Sequence, residues 1–248
     1  SMIDYNMVDL VNELNTESVK LALQAIEEIQ AINPLKPRFV AGSLGPTNRT
    51  ASISPKVNDP AFRNVDYDEL VETYKEQTIS LLKAGVHALL VETIFDTLNA
   101  KAAFFGIMDA MEVTGIEVPL MASGTITDKS GRTLSGQTTE AFLISLSHIP
   151  LLSIGLNCAL GATDMLPYVE TLSDNAPFYT SVYPNAGLPN AFGGYDESPD
   201  IMLENLKPMV ENGWVNIIGG CCGTTPEHIQ KIADFVKNFQ PRKIPTLI

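Results

Sequence analysis

Cysteine, tryptophan and histidine are scarce in this chain of 248 residues. It contains three cysteines, one tryptophan and three histidines. Three cysteines are an odd number and too few for a disulfide framework, so a reduced compartment is favoured. No apolar run reaches the roughly 18–20 residues of a spanning helix, and the first ten residues lack the pattern of a signal peptide. The sequence therefore predicts a cytoplasmic protein without a membrane partner.

Basic residues are also few. The chain has 16 of them and 29 acidic residues, which gives a formal net charge of −13. Such a balance argues against nucleic acids and anionic lipid surfaces as partners. Apolar residues make up 45% of the chain and charged residues 18%, which is enough to bury a sizeable core. We expect a folded domain that acts on a small molecule, with no nucleic-acid partner.

Six short apolar segments alternate with amphipathic segments of helical period. The predicted strands are residues 38–42, 88–91, 118–123, 151–156, 178–183 and 215–218. The predicted helices are residues 9–30, 67–84, 97–114, 138–147, 165–173, 201–212 and 226–239. The loops after the strands are longer and richer in glycine, proline and asparagine than those before them. This pattern is typical of a parallel sheet that carries its function at the carboxyl ends of its strands.

Two architectures fit this alternation, an open doubly wound sheet and a (β/α)8 barrel. The first unit lacks the G-x-G-x-x-G dinucleotide fingerprint, which weakens the open sheet. About six βα units are present where a barrel has eight, and the chain begins on a helix. We therefore expect residues 1–241 to be an incomplete barrel domain that lacks its first two strands. Residues 242–248 would then form an exit linker.

The three cysteines lie where two predicted strands end. Cys221 and Cys222 stand in NIIGGCCGTTP, whose glycines permit a tight turn, and Cys158 stands in LLSIGLNCALG. Three thiolates around Zn²⁺ carry a net charge of −1 and leave a fourth position open, which suits thiol binding better than water activation. Spacing alone leaves other readings open, namely small buried residues or a vicinal disulfide, because no CxxC motif is present.

Several longer motifs also carry a family resemblance. GGCCGTTPEHI, GLNCALG, VETIFDTLNAKAA, SGTITDKSGRTLSGQT and GPTNRTASISP together resemble the homocysteine-binding module of cobalamin-dependent methionine synthases. The wider family includes betaine–homocysteine methyltransferases and shares the Asn-Cys and Gly-Gly-Cys-Cys elements. The resemblance covers residues 4–241. Family members begin with two strands, one bearing an Asp-Gly-x-Met-Gly turn and one ending near Glu-Thr-Asn, and neither occurs here.

The resemblance implies a (β/α)8 TIM barrel with Cys158, Cys221 and Cys222 as zinc ligands and no catalytic residue beyond the zinc site. Homocysteine would bind zinc as a thiolate and accept a methyl group from methylcobalamin, giving methionine and cob(I)alamin. Methylcobalamin and the folate that recharges it would bind other modules of the full-length enzyme. This chain alone is therefore not expected to complete the reaction.

Three further polar residues are candidates for the site. Glu92 follows an apolar run and could bind the ammonium group of homocysteine, or cap a loop. Asn157 precedes a ligand cysteine and could touch the substrate, orient the loop or be purely structural. Asn185 could fill the open zinc position when substrate is absent, or serve the Pro-Asn-Ala-Gly turn. All three histidines are interpreted as structural or surface residues, because none follows a strand.

Two alternative functions remain open from the sequence. A stand-alone methyltransferase that uses betaine or S-methylmethionine would need the same cysteines. A non-catalytic zinc module that docks partners would also keep them, but its metal would not bind a substrate sulfur.

Overall fold

The computed structural model describes residues 2–127 and 130–245. Strands and α-helices alternate along this part of the chain. The strands are β1 (Ala41–Leu44), β2 (Ala88–Ile94), β3 (Leu120–Gly124), β4 (Leu151–Gly161), β5 (Tyr179–Asn185) and β6 (Ile217–Ile218). The helices are α1 (Val11–Ile32), α2 (Tyr67–Ala84), α3 (Thr97–Thr114), α4 (Thr139–Leu146), α5 (Ala162–Asn175), α6 (Pro199–Glu211) and α7 (Pro226–Val236). Among the described residues, no helix combines the length and apolar character that a membrane crossing requires.

The strands form one parallel sheet, and their spatial order β1-β2-β3-β4-β5-β6 repeats their order in the chain. A doubly wound sheet reverses its strand order at a switch point, and this sheet has no reversal. Each strand is followed by a helix before the next strand begins, as in (β/α)8 folds. The α/β prediction with about six βα units is confirmed.

The chain divides into two compact units. The first comprises Ser1–Val91 and Leu98–Met121, and the second comprises Glu92–Thr97 and Ala122–Ile248. Every residue that the sequence proposes for the site falls in the second unit.

In the first unit, α2 shows why the local sequence forms a helix. Asp66 accepts a hydrogen bond from the Glu69 backbone amide, and the Glu69 carboxylate accepts one from Asp66, which completes a capping box. Gly85 ends the helix with a left-handed φ of 97°. The buried side chains Leu81 and Leu82 lie near its end, and α1 packs against it.

The first strand begins later than the sequence predicted, at residue 41 rather than 38. The Arg38 guanidinium donates hydrogen bonds to the Asn33 and Lys36 carbonyls, which holds this residue against the end of α1. The Phe39 side chain is 72% exposed and joins no ladder. The hydrogen bonds of Arg38 at the end of α1 therefore keep residues 38–40 out of the strand that the apolar run predicted.

In the second unit, β4 runs to residue 161, beyond the predicted end at residue 156. It pairs with β5 in regular register up to Asn157 and Tyr183, and again at Gly161 and Asn185. Between these two pairs β4 advances by four residues and β5 by only two. The extra residues form a bulge, a feature that often redirects side chains beside functional sites.

The segment after α7 packs against the end of α5 within the second unit. Arg242 is 5% exposed and donates hydrogen bonds to the carbonyls of Ser173, Ala176 and Phe178 at the end of α5. The predicted exit linker therefore begins with an anchored residue. Residues 246–248 of that linker lie outside the described residues, as do residues 128 and 129 of the polar loop after β3.

Candidate metal centre

The three cysteine sulfurs converge in the second unit. The Sγ atom of Cys222 lies 3.9 Å from that of Cys158 and 3.9 Å from that of Cys221, and all three lie within 4.8 Å of one another. In a tetrahedral zinc–thiolate centre, sulfurs about 2.3 Å from the ion are about 3.8 Å apart. Two of the three sulfur separations are therefore close to those of a zinc–thiolate centre.

Cys158 reaches this cluster through the β4 bulge. A regular strand would place Asn157 and Cys158 on opposite faces of the sheet. Cys158 and Ala159 instead adopt left-handed φ angles of 59° and 55°, which are unusual outside glycine. Such strained residues cluster at functional sites, where neighbouring structure holds them in place.

Cys221 and Cys222 occupy a tight turn after β6. The Cys221 amide donates to the Pro184 carbonyl of β5, and the Thr224 amide and hydroxyl both donate back to the Cys221 carbonyl. Gly223 follows with a φ of 80°, and a Cβ built there would come within 2.3 Å of the Tyr195 Cβ. Only glycine fits at this position, which brings the Tyr195 side chain against the cysteine turn.

Asn157 is fully buried directly beside the cluster. Its Oδ1 accepts hydrogen bonds from the Thr93 amide at 3.0 Å and the Ser123 hydroxyl at 2.7 Å. Its Nδ2 donates to the Thr93 hydroxyl at 2.9 Å and approaches the Cys221 sulfur at 3.9 Å. The structure thus brings Asn157 to the site, with its amide fully engaged by the protein.

Asn185 also lies at the site and is 2% exposed. Its Oδ1 accepts a hydrogen bond from the Cys222 amide at 3.2 Å. The oxygen proposed as a metal ligand therefore lies beside Cys222 and accepts a hydrogen bond from its backbone amide.

Tyr183 lies close to both Glu92 and Cys221. Burial raises the pKa of the Tyr183 phenol, and the charges of Glu92 and Cys221 lie close enough to raise it further. The phenol thus stays protonated and is available as a donor. Glu92 lies in the last part of β2, and its role in substrate binding stays a prediction.

The loop between β5 and α6 is strongly organised around Asn190. The Asn190 Oδ1 accepts hydrogen bonds from the amides of Phe192 and Gly194, and its Nδ2 donates to the Asp196 carboxylate. This loop supplies Tyr195, whose phenol pKa is raised chiefly by a hydrogen bond with Cys222. The loop therefore delivers a hydroxyl to the sulfur cluster.

The same loop is fastened to the start of α7 by His228, which is 4% exposed. Its Nδ1 accepts from the Thr225 amide, so Nε2 carries the proton that is donated to the Glu197 carbonyl. The prediction that His228 is structural is confirmed.

Burial raises the pKa of Cys221 to about 12, and the neighbouring Cys158 and Cys222 add to the effect. Without a cation the Cys221 thiol is therefore neutral at physiological pH. A bound metal ion would supply the positive charge that lets three sulfurs lie this close together as thiolates.

Sequence reasoning missed four residues that shape the site, namely Thr93, Ser123, Tyr183 and Tyr195. Thr93 has a left-handed φ of 55°, and only its adjacency to Glu92 could have marked it. Tyr183 stands two residues before Asn185 and so shares its face of β5. No sequence motif near Ser123 or Tyr195 marks either residue as part of a site.

Comparison with known families gives a match to one family model. Residues 1–236 match the model described as homocysteine S-methyltransferase. The matched region includes all three cysteines.

Comparison with solved structures gives the homocysteine methyltransferase MmuM from Escherichia coli in three forms. The apo form matches with 22% identity and a TM-score of 0.68, covering 90% of this chain and 73% of that one. The metallated form has 22% identity and the oxidised form 21%, each with a TM-score of 0.66 and coverage of 90% of this chain and 70% of that one. At this identity the matches establish a shared fold.

Proposed function

This chain belongs to the homocysteine S-methyltransferase family, and we propose that it is the homocysteine-activating module of a cobalamin-dependent methionine synthase. The observation that carries the zinc-dependent chemistry of this proposal is the convergence of the Cys158, Cys221 and Cys222 sulfurs within 4.8 Å. The choice of methylcobalamin as donor rests on the motif resemblance alone. The methyl group would come from methylcobalamin held by another module, with a folate-binding module to recharge it.

In this proposal the three cysteines hold zinc. Bound zinc would stabilise the deprotonated form of an incoming thiol, so that the homocysteine sulfur stays nucleophilic near neutral pH. The chain itself supplies the strained backbone that aims Cys158 and the turn that pairs Cys221 with Cys222.

Glu92 is proposed to bind the homocysteine ammonium group, with the protonated Tyr183 phenol beside it. A carboxylate that faces an ammonium group adds affinity that a neutral amide does not. Glu92→Gln should therefore weaken homocysteine binding about tenfold or more and leave binding of a thiol without an amino group unchanged. Equal weakening for both thiols would contradict this role.

Asn185 is proposed as the fourth ligand when no substrate is bound. X-ray absorption on the substrate-free zinc protein should then show three sulfur neighbours and one oxygen or nitrogen. For Asn185→Ala the fourth neighbour should become exchangeable water. A water that exchanges equally fast in the unaltered protein would argue against Asn185.

The decisive experiment adds homocysteine to the zinc-loaded chain and follows the zinc X-ray absorption edge. A fourth sulfur neighbour is expected if the site activates the substrate. A spectrum that stays at three sulfurs would favour the other class of function, a zinc module that only docks partners.

The methyl donor separates this proposal from its enzymatic alternative. A stand-alone methyltransferase would use betaine or S-methylmethionine and needs the same cysteine cluster. Free methylcobalamin, betaine and S-methylmethionine should each be offered to the zinc- and homocysteine-loaded chain. Methionine formed with methylcobalamin alone supports the module, and turnover with either other donor supports the alternative.

A further inference from the structure

One buried amide joins the ends of four segments around the cysteines. Asn157, at the end of the regular part of β4, contacts Thr93 of β2, Ser123 of β3 and Cys221 in the turn after β6. The Thr125 hydroxyl donates in addition to the Asn157 carbonyl at 2.8 Å. The side chain therefore lies at a junction of the strand ends, with 0% exposure.

The hydrogen-bonding capacity of this amide is fully used. A primary amide accepts two hydrogen bonds through its oxygen and donates two through its nitrogen. Asn157 makes both acceptor contacts, with the Thr93 amide and the Ser123 hydroxyl, and both donor contacts, with the Thr93 hydroxyl and the Cys221 sulfur. No lone pair or proton of the side chain remains for a substrate.

The orientation of the amide follows from its partners. The Thr93 backbone N–H can only donate, so the atom that faces it at 3.0 Å must be oxygen. The other end of the amide is then nitrogen, and that end faces the Cys221 sulfur at 3.9 Å. Thr93 thus fixes which end of Asn157 meets the cysteine.

We propose that Asn157 is a positioning residue for the metal centre rather than a substrate contact. Its nitrogen donates to the Cys221 sulfur, which places that sulfur beside Cys158 and Cys222 and favours its negative charge. This inference rests on the proposed zinc site and names a residue that tunes it. Groups that hydrogen-bond to metal ligands typically change metal affinity by about 10–100-fold.

The test variant is Asn157→Asp, which keeps both acceptor contacts but replaces the donating nitrogen by a carboxylate oxygen. That oxygen would face the Cys221 thiolate with like charge. We expect zinc affinity, measured by competition with a chromophoric chelator, to fall about 100-fold or more. Cobalt loaded in place of zinc should show a shifted sulfur-to-metal charge-transfer band, which reports on Cys221 independently of activity.

The matched control is Asn216→Asp, at the opposite end of β6. The Asn216 Oδ1 accepts from the Thr180 amide at 2.9 Å, and its Nδ2 donates to the Arg242 carbonyl at 2.7 Å. The same chemical change therefore removes one amide donor, to the Arg242 carbonyl, at the end of β6 away from the cysteine turn. It should lower the urea midpoint while zinc affinity stays within about threefold of the unaltered protein.

If Asn157→Asp does not fold, Thr93→Val provides a second test. This change removes the hydroxyl that accepts from Nδ2, while the Thr93 backbone amide and the Ser123 hydroxyl still hold Oδ1. The nitrogen that faces the Cys221 sulfur therefore loses the contact that fixes its direction. About a tenfold loss of zinc affinity is expected. Unaltered affinity and an unaltered cobalt spectrum in a folded variant would overturn the proposal.

The outcomes separate this proposal from the proposed function. Zinc that binds tightly but never takes up the homocysteine sulfur would overturn substrate activation and leave the Asn157 role standing. Homocysteine uptake together with unaltered zinc affinity in Asn157→Asp would overturn the positioning role alone.

Discussion

The Sγ atom of Cys158 lies 3.9 Å from the Sγ atom of Cys222, although 64 residues separate them in the chain. Cys221 and Cys222 share one turn, so Cys158 is the sulfur that another strand must deliver. The bulge of β4 delivers it by giving Cys158 and Ala159 left-handed φ angles. The cysteine cluster proposed as a metal centre therefore depends on an irregularity of the sheet.

Removal of this sulfur should dismantle the centre. We expect Cys158→Ala to lower zinc affinity by about two to three orders of magnitude. The reason is that a binding free energy of roughly 10–16 kcal/mol is shared among the ligands of a structural zinc. Competition with a chromophoric chelator measures the change directly.

Ser153→Ala is the matched control on the same strand. The buried Ser153 hydroxyl has no hydrogen-bond partner among the described residues, so its loss should change neither zinc affinity nor stability appreciably. If Cys158→Ala bound zinc as tightly as Ser153→Ala, Cys158 would not be a ligand.

Much of this fold was predictable because strand and helix periodicity is local. The bounds of α2 and α3 are those predicted, and the cysteines were placed at strand ends from the apolar runs before them. The bulge of β4 was not predictable, since its extra residues are defined only by pairing with β5. The sequence run ending at residue 156 looks complete without it.

The hydrogen bonds of the site were still less accessible. Asn157 and Thr93 are 64 residues apart and meet only because β2 and β4 end at the same edge of the sheet. A contact between residues so far apart in the chain cannot be inferred from the residue types in a short stretch of sequence. The sequence therefore indicated Asn157 as a candidate but could not assign its partners.

Gly223 should be intolerant of any side chain. Its φ of 80° alone costs a substituted alanine about 1–2 kcal/mol, and a Cβ would also lie 2.3 Å from the Tyr195 Cβ. We expect Gly223→Ala to lower the free energy of unfolding by more than about 2 kcal/mol. It should also weaken zinc binding, because the cysteine turn must shift.

Gly213→Ala separates the cost of the backbone conformation from the cost of the clash with Tyr195. Gly213 has a φ of 67° and nothing within 4 Å of its virtual Cβ, so only the backbone cost of about 1–2 kcal/mol applies. Zinc affinity should be unaffected in this variant. Urea denaturation of both proteins gives the comparison, and equal losses would show that the Tyr195 contact is unimportant.

Arg242 should stabilise the second unit through the end of α5. Arg242→Met leaves the carbonyls of Ser173, Ala176 and Phe178 without their buried donor, at a cost of about 2–4 kcal/mol. Lysine cannot reproduce the branched donor pattern and should restore only part of the loss. Urea denaturation measures both variants.

Arg63→Met is the corresponding change at an exposed position. Its guanidinium also donates to three carbonyls, those of Ala51, Pro60 and Phe62. Water can replace an exposed donor, so the expected loss is below about 1 kcal/mol. Comparable losses for the two arginines would show that burial of Arg242 contributes little.

The pH dependence of stability should change sign when metal is bound. In the metal-free, reduced protein, burial and the neighbouring sulfurs raise the pKa of Cys221 from 9.0 to about 12. The folded state then holds this proton more tightly than the unfolded chain does. The resulting stabilisation is complete below pH 9 and is lost as the pH rises toward 12.

The measurement is the urea midpoint between pH 8 and 10 for the metal-free protein and for Cys221→Ser. The upper limit matters because burial also raises the pKa of Tyr183, which adds a loss of the same sign above its ordinary value of 10.0. The midpoint should fall as the pH rises in the unaltered protein and fall less in the serine variant.

Zinc should reverse the trend, since its binding displaces thiol protons and therefore strengthens as the pH rises. A metal-free midpoint that is flat to pH 10, or that falls equally in both proteins, would mean that Cys221 is not held neutral by its surroundings.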